Sequence, residues 1–169
     1  MSGISATDLL FEAVRPALVA LGGSWGGTNA EQLLMGTAAV ESGLVKLRQY
    51  GNVPDGGVGF WQMEPPTFDD LLRRLDRPES RDLLWAVISQ ATDKGKNPNE
   101  MAWNLRFACV MARMKYRDAT PKLPDAGDIA GFEVYHKRFY NSSLGATRPG
   151  EFTRAWNNLI APSAGRMWP

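Results

Sequence analysis

The sequence predicts a mostly α-helical single domain spanning residues 1–169, with two lobes around a loop-lined groove. Three observations predict it. Strand-type alternation is nearly absent, and most segments place apolar residues three and four apart. The 169 residues, 44% hydrophobic and 22% charged, suit one soluble domain with one substantial core. Tyr50 to Gly59 is a loop-like stretch dense in glycine and turn residues, and no repeat or composition break divides the chain.

Ala6 to Leu21 reads as the first helix, with Leu9, Leu10, Ala13, Val14, Ala17 and Leu18 on one face. A glycine-rich loop follows. Thr28-Asn29-Ala30-Glu31 matches a capping box, opening a helix that runs to about Gly43. Tyr50 to Gly59 offers the one place for a small hairpin or an irregular lip. Thr67 to Leu75 is a short helix, and Pro78-Glu79-Ser80 opens another that ends before Gly95. A longer helix is expected over Pro98 to Arg117, then a linker at Pro121 to Pro124. Asp125 to Tyr140 and Pro149 to Leu159 follow as helices, and Ala161 to Pro169 lacks periodicity.

Composition narrows the functions. The net charge is +1 and no basic stripe appears, which excludes a typical nucleic-acid partner. Arg113, Lys115 and Arg117 read as solvated charges complementing a helix end. No window approaches about 20 apolar residues, so no membrane insertion is expected. Met1 to Leu21 contains Asp8, Glu12, Arg15 and Pro16, unlike a secretory leader. The one cysteine, Cys109, lies in an apolar run and reads as an inert core thiol. The one histidine, His136, has no nucleophile-elbow pattern beside it, and no His or Cys cluster suggests a metal.

Glu41 stands out. It follows Leu34 by seven, Thr37 by four and Ala38 by three residues, so it shares their helix face. Apolar surroundings and a helix C-terminus both disfavour a carboxylate charge, in the direction that a general acid requires. Seventeen residues after Ser42 comes Gly59-Phe60-Trp61-Gln62-Met63-Glu64-Pro65-Pro66-Thr67. Gly59 suits a close backbone approach to a ligand. Phe60 and Trp61 offer flat aromatic faces, with one of the two expected in the core. Pro65 or Pro66 suits the first turn of a helix. The remaining tryptophans, Trp25, Trp85, Trp103, Trp156 and Trp168, read as structural.

Glu41-Ser42, together with the glycine, glutamine, proline and threonine of Gly59 to Thr67, resembles the motifs of soluble-type lytic transglycosylases. These enzymes are relatives of goose-type lysozyme. Tyr140-Asn141 resembles the family's third mark, although the small residue and glycine that follow it are out of register. The middle third of the chain matches well and the C-terminal third loosely, in a pattern closer to the compact versions encoded by tailed phages.

The resemblance implies a lysozyme-like domain that cleaves the MurNAc–GlcNAc bond of peptidoglycan without a cofactor. Glu41 would be the general acid and then the base. Ser42 would orient the acid or the substrate's N-acetyl group, and Gln62 would line the cleft. Tyr140 would hold Glu41 or contact the N-acetyl group, and Asn141 would support that loop.

An inverting lysozyme needs a second carboxylate to activate water. A transglycosylase does not, because the sugar's own C6 hydroxyl attacks. Glu64 and Asp55 are the candidates, with Asp69 and Asp70 reading as a solvated helix start. If Glu64 faces the cleft, hydrolysis stays open; the leaning is to transglycosylation. A non-catalytic glycan-binding or structural virion module, and a helical interaction domain with no glycan role, are the alternatives. The partners implied are peptidoglycan strands and other virion proteins. The site of action implied is the cell wall in the periplasm, reached from a virus particle or at lysis.

Overall fold

The computed structural model describes residues 3–49, 56–141 and 147–169. It is mostly helical, and its described residues hold only isolated bridges in place of strands. Helix α1 begins as Ala6–Asp8, capped by the Ser5 hydroxyl, passes through a π-helical stretch at Leu9–Val14 and continues as Arg15–Leu21. The irregularity has a cause in Pro16, which has no N–H to give the carbonyl of Glu12 four residues back. Arg106 Nε donates to that carbonyl instead, at 2.9 Å.

Helix α2, Thr28–Ser42, is buried on nearly every face, from Ala30 through Leu33, Leu34 and Met35 to Ala38 and Ala39. An all-round apolar helix belongs in the centre of a core. Gly36 lets Phe152 reach the helix, since a Cβ there would lie 2.2 Å from the Phe152 ring. The expected capping box does not form. The N-cap is Gly27, with no side-chain cap, because the Glu31 carboxylate is taken by Arg15 at 2.7 and 2.9 Å and by the Trp168 indole at 2.8 Å.

Helices α3, Pro65–Leu75, and α4, Arg81–Ile88, form the next layer, with a 3₁₀ turn at Pro78–Ser80 before α4. The helix expected over 98–117 is two pieces: a 3₁₀ turn at Pro98–Ala102 and α5, Leu105–Lys115. Asn104 breaks it. Its side-chain oxygen caps Phe107 N at 3.1 Å, while its amide donates to Glu100 Oε1 at 2.6 Å and to the Gln90 carbonyl at 2.7 Å. An asparagine so engaged starts a helix rather than continuing one.

Helix α5 is the second central helix, with Phe107 to Met114 buried. Arg113, expected in solvent, is buried, donating to the Trp25 carbonyl at 3.0 Å and lying over its ring. Cys109 is fully buried, and burial pushes its thiol far up, as an inert core thiol requires.

Helix α6, Ile129–Phe139, is capped by Asp128. Helix α7, Glu151–Ala155, continues as a π-helical stretch at Trp156–Ile160. The tail, aperiodic in sequence, is helical: a 3₁₀ turn at Ala161–Ser163 and α8, Ala164–Met167. It is pinned by tertiary contacts, with Trp168 stacked on Trp156 and bonded to Glu31. Of the tryptophans expected to be structural, Trp85 and Trp103 are instead exposed. Among the described residues no helix is long and apolar enough to cross a membrane.

Candidate functional site

The last turn of α2 carries Glu41 to the wall of a cleft of about 490 Å³. The segment after α2 pairs with the segment before α3. Bridges join Arg48 to Val58 and Val58 to Met63, and Gln49 N donates to the Gly57 carbonyl at 3.0 Å. This small irregular lip brings Gln49, Gln62, Glu64 and Thr67 to one side of the cleft. Tyr140 and Asn141, at the end of α6, come to it from elsewhere in the chain, as does Lys115 from α5. The other candidate carboxylate of the lip, Asp55, lies outside the described residues, as does most of the expected hairpin.

Glu41 keeps 19% of its side chain exposed, and its Oε1 lies 2.9 Å from Nε2 of His136. His136 is fully buried, stacked on Tyr140 at 5.6 Å and 18° and tilted against Phe152 at 5.4 Å. Its Nδ1 has no hydrogen-bond partner among the described residues. The apolar face expected around Glu41 therefore includes one polar neighbour. Sequence reasoning misses it, although His136 and Tyr140, four apart on one helix, share a face.

Tyr140, expected to hold Glu41, does something else. Its hydroxyl donates to the Trp61 carbonyl at 2.7 Å, and its ring supports His136. Burial raises the Tyr140 phenol well above its ordinary range, and the nearby Glu41 charge pushes the same way. Lys115 Nζ lies 4.0 Å from the centre of the Tyr140 ring, a cation–π contact. Burial lowers the Lys115 ammonium, against the opposing pull of Glu41 and Glu64. Lys115 is thus a cleft residue and not the solvated charge expected.

Several expected roles do not fit their positions. Ser42 is buried, its hydroxyl donating to the Ala38 carbonyl at 2.8 Å and accepting from Leu44 N at 3.2 Å. It ties off the end of α2 and does not reach the cleft. Phe60 and Trp61 are both core, with the Trp61 indole donating to the Leu34 carbonyl at 2.9 Å, so neither offers a face to sugar. Gly59, at φ +74°, makes its close approach to the Met101 carbonyl, which a Cβ would meet at 2.4 Å.

Gln62 does reach the cleft. It adopts φ +45° and lines the cleft, its amide donating to the Gly59 carbonyl at 2.6 Å and the Lys46 carbonyl at 3.3 Å. Asn141 also lines the cleft, its backbone N–H donating to the His136 carbonyl at 3.0 Å. Glu64 is both exposed and on the cleft wall, which leaves a second carboxylate within the site.

Chemically, the arrangement offers a partly sheltered carboxyl group, a fixed imidazole behind it and amide side chains around one cleft. Compared with protein-family models, curated proteins and solved structures, the chain matches none.

Proposed function

We propose that this chain is a muramidase with a lysozyme-like, two-lobed fold. It would cleave the MurNAc–GlcNAc β-1,4 bond of peptidoglycan as a lytic transglycosylase that leaves 1,6-anhydro-MurNAc ends. The observation that carries this reading is the convergence of Glu41, Gln62, Tyr140 and Asn141 on one cleft, from positions up to 100 residues apart. These are among the residues on which the family resemblance rests.

In this mechanism a protonated Glu41 gives its proton to the glycosidic oxygen as the bond from MurNAc C1 breaks, and the bonding pair leaves with GlcNAc. The substrate's N-acetyl group stabilises the positive charge at C1. The C6 hydroxyl then bonds to C1, and its proton returns to Glu41. Gln62 and Asn141 offer hydrogen bonds to the strand. Every group the chemistry needs comes from the carboxyl and the sugar.

Hydrolysis is the second reading, and the presence of Glu64 in the lining of the same cleft favours it. From the resemblance to compact phage enzymes we infer delivery to the cell wall by a virus particle, or release at lysis.

Mass spectrometry of muropeptides released from purified peptidoglycan tests the proposal. Products lighter by one water, lost by about 10²–10⁴-fold in Glu41→Gln, are expected. Reducing-end products would make the protein a lysozyme. No release by the wild type would leave a glycan-binding or structural module.

A further inference from the structure

His136 is the only histidine in the chain, and its environment restricts where its protons sit. Nε2 faces Glu41 Oε1 at 2.9 Å, while Nδ1 is buried without a partner among the described residues. A proton on Nδ1 would bury a donor with no acceptor, whereas a bare Nδ1 lone pair is the milder loss. The neutral tautomer that fits has its hydrogen on Nε2, and there it donates to Glu41. The same bond serves both states of Glu41. Oε1 accepts from Nε2 whether the other oxygen is bare or protonated.

We propose that His136 is a positioning residue for Glu41, a neutral donor that occupies Oε1 and leaves Oε2 as the one oxygen carrying the transferable proton. This rests on the glycan-cleaving reading above. Proton transfer to the glycosidic oxygen, and its return from the C6 hydroxyl, both run through Oε2, and the imidazole keeps its own proton throughout. Packing between Tyr140 and Phe152 fixes the plane of the ring and so the direction of the bond.

The charged and titratable groups around the pair are Lys115 and Tyr116 from α5, Glu133, Arg138 and Tyr140 on the histidine's own side, and Glu64 in the lining of the same cleft. Glu133 is engaged by Gly150 N, Thr153 N and the Thr153 hydroxyl at 2.6, 3.0 and 2.7 Å, so it does not compete for the imidazole.

A single histidine makes the test direct. Long-range ¹H–¹⁵N correlation spectra of ¹⁵N-histidine-labelled wild-type protein should show Nε2 protonated and Nδ1 bare at neutral pH. Kinetics on peptidoglycan should show kcat lowered about 10²-fold in His136→Phe at little-changed KM, with His136→Gln, whose amide restores a donor, recovering much of the loss.

A wild type that cleaves glycan while its imidazole is protonated on Nδ1, or doubly protonated, would overturn the role of His136 alone. So would a well-folded His136→Phe with unchanged kcat. A wild type that releases nothing would overturn the glycan-cleaving reading, whichever tautomer the spectra show. The spectra need no variant, so the tautomer is tested even if His136→Phe does not fold.

Discussion

The Tyr140 hydroxyl donates to the carbonyl of Trp61 at 2.7 Å, joining the end of α6 to the turn that presents Gln62. Both residues are buried, with 4% and 1% of their surfaces exposed. The bond ties two walls of the cleft together, and the ring of the same tyrosine backs His136.

Tyr140→Phe keeps that ring and removes the bond. A buried carbonyl that loses its donor costs about 1–3 kcal/mol. The midpoint of urea unfolding should fall accordingly, with an unchanged slope. Turnover should also drop, because the turn bearing Gln62 loses a tether. An unchanged midpoint would mean that the Trp61 carbonyl finds another partner.

Gly59→Ala should be among the more damaging single changes in the lip. Its left-handed backbone and the Met101 carbonyl 2.4 Å from a new Cβ both act against it. Together they should cost about 2–5 kcal/mol. Gly43→Ala is the control: it has a similar φ of +63° but open space around it, so only the backbone cost of about 1–2 kcal/mol applies. Equal losses in the two variants, measured by chemical denaturation, would remove the Met101 contact as a cause.

Much of this arrangement is legible in the sequence where the signal is local. The face of α2 that carries Glu41, the proline start of α3 and the inert Cys109 follow from spacing and composition. Gln62, Tyr140 and Asn141 are marked by motif and do reach one cleft. What fails depends on tertiary partners. Glu31 has the spacing of a capping box, but Arg15 and Trp168 claim its carboxylate. Phe60 and Trp61 look like sugar platforms until Leu34 is seen to accept the indole proton. His136 lies 95 residues from Glu41, and no local pattern announces a pair formed at that separation.

Stability should fall on the acid side through Glu31. Burial works to raise its pKa, but the bonds from Arg15 and Trp168 outweigh it and leave the folded value below the ordinary 4.5. A carboxylate depressed on folding stabilises the protein above its unfolded pKa, and that contribution is lost as pH drops through the folded value. The thermal midpoint of the wild type should therefore fall as pH drops below about 4.5. Glu31→Gln should be less stable at neutral pH and show a flatter acid limb. An acid limb as steep as the wild type's would place the responsible carboxylate elsewhere, with Glu133 next, since its hydrogen bonds also hold it low against burial.

Under the proposed glycan cleavage, Glu64 separates the two chemistries. It lies on the cleft wall with Glu41, and Lys115 feels the charge of both. If water is the nucleophile, Glu64 is the described carboxylate best placed to activate it, and Glu64→Gln should then cost about 10²–10⁴-fold in turnover. If the C6 hydroxyl attacks, Glu41 is the only carboxylate required. Glu64→Gln should then keep the anhydro products, with turnover within about tenfold of wild type, because it loses no proton-transfer step. We expect the second outcome. The measurement is the mass and the rate of release of muropeptides from wild type and variant side by side. A large loss in the variant, with reducing-end products from the wild type, would establish hydrolysis and give Glu64 the role of base.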